Sequence, residues 1–248
     1  MELHVMQTVL EAFILCYYAF ILLTIATSRE KVFRSAFYIL FVSTGIADII
    51  SLLSSFVLRM NLEPASSNEP RYIIIYSITA GRTALTAHMI GNTFITFNRY
   101  SSICLMSKYD KIWTRRNVFI IVVVQYAVSI AAVFYTATSK MIYVQADDGT
   151  YVFKGLEPHV AAVTACISST IVIICLLISF GLDVKLFVTW HNLLKEGDRS
   201  TVRHVEKGLL IYTITAFILM ILINTEDALY AIASITEDRE LYIWVNNS

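Results

Sequence analysis

Residues 72–105 read YIIIYSITAGRTALTAHMIGNTFITFNRYSSICL, a stretch of 34 residues with two charges, Arg82 and Arg99, and no proline. A bilayer core about 30 Å thick is crossed by roughly 20 helical residues, so this run is longer than one crossing needs. Lipid offers no hydrogen-bond partners, and a helix answers by satisfying its backbone internally. Outward from this run the pattern repeats in both directions. Apolar runs occupy residues 5–27, 36–58, 118–138, 160–190 and 208–233, giving six in all. The three prolines, Pro64, Pro70 and Pro158, all lie between runs. Apolar residues make up 57% of the 248 positions and charged residues 15%, against about a quarter charged in a soluble domain. These observations predict an all-α membrane protein, one domain over residues 1–248. The inner ends of the third and fifth runs are expected to continue as helix past the membrane. Met1-Glu2-Leu3-His4 lacks the basic start of a cleaved signal peptide, so the first run reads as a retained anchor.

Lys and Arg set the orientation, because cytoplasmic segments carry the excess. Thirteen flank the ends of runs one, three and five, and five lie on the opposite side. The N-terminus is therefore expected outside, and after six crossings the C-terminus as well. Net charge is zero, which gives no footing for nucleic acid. Cys16, Cys104, Cys166 and Cys175 fall in or beside apolar runs and read as small buried side chains, not as a disulfide framework. Between runs four and five, Asp147-Asp148-Gly149 is a turn signal that could close a hairpin, with Tyr143 and Tyr151 flanking it. Trp113, Trp190 and Trp244 stand at span boundaries and read as interfacial anchors. Asn246-Asn247-Ser248 forms a sequon at the terminus.

The polar residues inside the runs carry the functional reading. A charge near a helix centre costs at least about 2.5 kcal/mol on insertion scales. Asp48, near the middle of run two, is thus expected to be paired, hydrated or protonated, in a switch, an ion site or a satisfied structural role. At about 100° per residue, His88, Asn92 and Arg99 fall within roughly 40° of one another, with Thr96 beside them. This stripe is expected to face the bundle interior, for interhelical hydrogen bonding or for a ligand or switch role. Arg82 points away from it and could snorkel outward. Glu226 and Asp227 on run six and Glu11 on run one lie toward the outer side, as headgroup-level charges or a site for a cationic ligand. Gln125 and Ser129 read as packing polar groups. The five histidines do not cluster at metal-ligand spacing, and no Walker loop or nucleophile elbow is present. No enzyme, cofactor or metal site is expected.

The third run ends in Phe97-Asn98-Arg99-Tyr100-Ser101-Ser102-Ile103-Cys104, followed by Tyr109-Asp110-Lys111-Ile112-Trp113. An N-R-Y at the inner end of a third helix, then Tyr-x-Lys-Ile-Trp in the next inner loop, resembles the nematode serpentine chemoreceptors of the class gamma (Srg-type) superfamily. The resemblance implies a seven-transmembrane, G-protein-coupled chemosensory receptor of the plasma membrane. A small-molecule or peptide ligand would bind on the outer side and a heterotrimeric G protein on the cytoplasmic side. Asn98, Arg99 and Tyr100, with Lys111, Arg115 and Arg203, would serve coupling. Asp48, Arg82, His88, Asn92 and Glu226 would serve a ligand pocket or an intramembrane polar switch. Asn98 stands where rhodopsin-like receptors carry an acid, which weakens any lock within the helix, and Arg99 would be held by groups on the sixth run. No apolar run follows residue 233, so the sequence reads as a seven-helix bundle with six helices present. A small transporter or channel lined by Asp48 and His88, or a non-signalling truncated receptor product, are the rival readings.

Overall fold

The computed structural model describes residues 2–61, 72–145, 149 and 151–195, and four further helical positions at 215, 218, 221 and 225. Six α-helices are defined: α1 (Glu2–Thr27), α2 (Ala36–Asn61), α3 (Tyr72–Cys104), α4 (Met106–Ile112), α5 (Arg115–Val133) and α6 (Pro158–Lys195). A 3-10 turn, Phe134–Thr138, prolongs α5. Apart from those four positions, the sixth apolar run lies outside the described residues, as do Arg203, Glu226, Asp227, Trp244 and the terminal sequon.

Among the described residues three helices are long and apolar enough to cross a membrane: Ala36–Arg59, Arg115–Thr138 and His159–Thr189. A shorter apolar stretch, Glu11–Thr27, lies in α1. α3 does not qualify because its polar stripe dilutes its apolarity. That stripe is turned inward: Asn92, Thr96 and Arg99 are buried and His88 is half-buried; on other faces of the helix Thr86, Asn98 and Ser101 are buried as well. α3 is accordingly the hub, packed against α2, α5, α6 and α4, while α1 leans on α2.

Small residues set how closely these helices approach. Ala47 of α2 and Ala84 and Ala87 of α3 form one buried cluster, as expected where helix association rests on packing and not on the hydrophobic effect. Gly91 is the tightest point. A Cβ there would lie 2.2 Å from Thr44 Oγ1 of α2 and 2.7 Å from Gln125 Nε2 of α5. Large apolar side chains such as Phe13, Phe20, Phe119 and Leu177 are more than 60% exposed, the outward face a lipid solvent tolerates. Several hydroxyls within the helices bond back to their own backbone, as in Thr79 to Ile75 O and Thr93 to Met89 O, so these enter an apolar setting already satisfied.

Between α5 and α6, β1 (Met141–Gln145) and β2 (Tyr151–Leu156) form an antiparallel hairpin, with Gln145 opposite Tyr151. Gly149 takes a φ of 82° in its turn, a conformation open to glycine at no steric cost. The Tyr143 and Phe153 rings meet edge to face across the strands. The cysteines differ from expectation. Cys175 is buried, Cys104 is half-buried, and Cys16 and Cys166 are exposed. The last two fall on outward helix faces, where a thiol packs against lipid as readily as against protein.

Candidate functional site

Two polar assemblies occupy the interior. The first joins α1, α2 and α3 at mid-helix. Tyr18 Oη donates to Asp48 Oδ2 at 2.8 Å, and the other oxygen of Asp48 bonds His88 Nδ1. His88 Nε2 meets Asn92 Nδ2 at 2.7 Å. An amide nitrogen is a donor only, so His88 Nε2 is the acceptor there and the ring proton sits on Nδ1, facing the carboxylate. In this arrangement the imidazole N–H donates to Asp48.

Asp48 is paired, as a mid-span carboxylate needs to be, and both its side chain and that of His88 are 26% exposed. Tyr126 of α5 flanks the group; its hydroxyl donates to Ser43 O at 2.7 Å and feels the Asp48 charge. Gln125 is fully buried and ties α5 to α3 through Nε2 to Ala87 O at 2.8 Å. Ser129 bonds back to Gln125 O. Gln125 thus cross-links two helices, and Ser129 is satisfied within its own. Arg82, six residues outward of His88, is half-buried. Nearer the outer end, Glu11 does not simply face water. Arg59 of α2 pairs with it, Nη1 donating to Oε1 at 2.8 Å.

The second assembly closes the inner end of α3. Thr114 caps α5, its side chain accepting from Asn117 N at 3.3 Å, and Asn117 Nδ2 reaches back to Ile112 O at 2.8 Å. These bonds fix the sharp turn from α4 into α5 and swing Trp113 inward. Trp113 is only 7% exposed, in a buried cluster with Ala36, Leu40, Ile95 and Val118. Its Nε1 donates to Ser101 Oγ at 2.6 Å, and its ring packs near Phe97 and Tyr109. The expected interfacial anchor is thus a core residue; a tryptophan tucked under a capped turn finds a hydrogen-bond partner inside the protein.

Asn98, in the position of the expected acid, donates through Nδ2 to Tyr109 Oη at 3.2 Å, fastening α4 beneath α3. Arg99 is 3% exposed, with its guanidinium 5.0 Å above the Phe37 ring of α2, within range of a cation–π contact. Tyr100 is half-buried, and Lys111 and Arg115 are exposed on α4 and α5.

A chain with an inward polar stripe on α3 and a buried Arg99 at its inner end has the form expected of a serpentine receptor. The sequence model of one family, described as serpentine type 7TM GPCR chemoreceptor Srv, matches residues 7–246. The chain belongs to the Srv family. The resemblance at the N-R-Y pointed to serpentine chemoreceptors, and that holds; the type that matches is Srv and not Srg. None of the curated proteins matches the chain. Membership makes this a membrane protein of the G-protein-coupled chemosensory kind, with a G protein and a ligand as its general classes of partner. In the two polar assemblies, Tyr18, Tyr109 and Trp113 bond the residues marked from the sequence or their neighbours. Tyr18 had one weak signal in the sequence, a hydroxyl carried at the middle of an otherwise apolar run.

Proposed function

We propose that this Srv-type chain is a chemosensory receptor of the plasma membrane with its N-terminus outside, detecting a small molecule. The chain forms one domain, crossing at the six apolar runs. Ligand enters among the outer halves of the helices and perturbs the polar network of Asp48, His88 and Asn92, with Arg82 and Glu226 toward the outer side. Asn98, Arg99 and Tyr100, with the basic residues Lys111, Arg115 and Arg203, form the surface that couples to a heterotrimeric G protein. The observation that carries this reading is the burial of Arg99 at the inner end of α3. A cation held 3% exposed against Phe37 is costly to keep there, and release toward a cytoplasmic partner gives the cost a purpose.

The test uses cells that express the chain with a promiscuous G-protein α subunit, screened against a panel of small odorants and metabolites. Arg99→Ala is expected to abolish every evoked response at unchanged surface expression. Evoked responses that survive the substitution would sink the coupling role. A transporter lined by the half-exposed Asp48–His88 pair is the rival reading. It requires solute or ion flux in reconstituted vesicles that disappears in Asp48→Asn.

A further inference from the structure

The proposed coupling role of Arg99 raises the question of what balances its charge. α3 carries no acidic residue, and neither does α5. Asp48 on α2 is occupied by Tyr18 and His88, and Asp110, the one acid of α4, is exposed. On α6 there is one acid in the whole helix, Asp183.

Two interhelical hydrogen bonds fix the register of α6 along α3. Ser179 Oγ bonds Thr93 Oγ1 at 3.3 Å, and Cys104 Sγ bonds Thr189 Oγ1 at 3.5 Å. The helices run parallel, so the residue pairs between these anchors are matched in depth. Arg99 lies five residues before Cys104, and Asp183 lies six before Thr189. Counted from the two anchors, they are level to within about one to two 1.5 Å helical steps. The face is also right. Val172, Cys175, Ser179 and Leu186 are buried, and Asp183 follows Ser179 by four residues and precedes Leu186 by three, which places it on the same stripe. The Arg99 guanidinium acts electrostatically on the Asp183 carboxylate, whose Oδ1 is buried with no hydrogen-bond partner among the described residues.

We infer that Asp183 is the counter-charge that holds Arg99 in the resting receptor, so that the latch crosses from α3 to α6. This inference rests on the coupling role given to Arg99 above. Asp183 acts as a positioning residue: it fixes where the guanidinium sits, and separation of α6 from α3 frees the cation toward the cytoplasm.

The pair is tested on the full chain in lipid nanodiscs by a thermal double-mutant cycle. Asp183→Asn and Arg99→Gln are each expected to lower the unfolding midpoint, and the double variant to fall no further than the worse single. Losses that add would overturn the pairing. Where a single variant fails to accumulate, the exchanged pair Arg99→Asp with Asp183→Arg decides: recovery toward the wild-type midpoint supports the pairing and no recovery overturns it. The latch is tested without any ligand, in cells carrying the promiscuous G-protein α subunit. Asp183→Asn is expected to raise basal signalling at equal surface level, and Arg99→Ala added to it to remove the rise. Unchanged basal signalling in Asp183→Asn overturns the latch while leaving the receptor reading intact. A rise that persists after Arg99→Ala overturns both the latch and the coupling role of Arg99.

Discussion

The mid-helix network and the inner base of α3 solve the same problem, polar groups inside an apolar bundle, by opposite means. At mid-helix, Tyr18, Asp48, His88 and Asn92 are joined through a run of hydrogen bonds, and Asp48 and His88 remain partly exposed. At the base, Asn98, Arg99 and Ser101 are nearly or fully buried under an aromatic layer of Phe37, Phe97, Tyr109 and Trp113. The first is held by directional bonds between side chains of three helices. The second is held by packing, which has one good arrangement and resists small changes. In the proposed receptor, the first kind would suit the place where the signal enters and the second the place where it leaves.

The contrast can be broken most sharply at Trp113. Trp113→Ala should cost about 3–5 kcal/mol, read as a large fall in the thermal midpoint in nanodiscs. Trp113→Phe should cost only about 1 kcal/mol, for the bond to Ser101. Equal losses in the two variants would mean that the base is held by that bond and not by packing. Between the regions, Gly91→Ala forces a methyl against Thr44 and Gln125 and should destabilise by about 1–3 kcal/mol. A neutral result would show that α2 and α5 can step back from α3 at that level. Asp48→Ala leaves the Tyr18 hydroxyl and the His88 N–H without their acceptor, at about 1–3 kcal/mol. Restoring the loss by also replacing His88 with Leu would confirm that the cost lies in the orphaned donor. The smallest effect is expected from Glu11→Gln. It loosens a pair with Arg59 that is about one-third exposed at the outer rim, worth about 0.2–1 kcal/mol. A larger fall would extend the mid-helix network outward.

Much of this was readable from the residues. Period and hydropathy mark the helical runs, and the 88–92–99 spacing puts the polar stripe of α3 on one face, which the structure turns inward. What escaped was partnership. A carboxylate at position 48 announces that it needs a donor, but not that Tyr18 supplies one, because Tyr17 and Tyr18 look alike in an apolar run and only the rotation of α1 chooses between them. Trp113 was misplaced for a related reason. A tryptophan at a span boundary has two homes, the lipid interface or the core, and the capped turn from Thr114 to Asn117 decides for the core. Asp183 reads as the inner end of an apolar run until Ser179 and Thr189 fix its depth against α3. The Srg-type resemblance rested on short motifs, which carry the superfamily's general form more faithfully than the type within it.

The length of α3 has a mechanical consequence. Its 33 residues extend about 50 Å, against a hydrocarbon core of about 30 Å, in one unbroken rod. His88 and Cys104 are 16 residues apart along it, about 24 Å. With the rod pivoting at the level of His88, a tilt of about 5° would carry its inner tip roughly 2 Å sideways, on the scale of helix shifts that switch interfaces. A displacement too small to break a hydrogen bond at the pivot would thus become one large enough to re-seat a side chain at the tip. The rod would act as a lever, with its short bonds at the fulcrum and Arg99 well out along the arm.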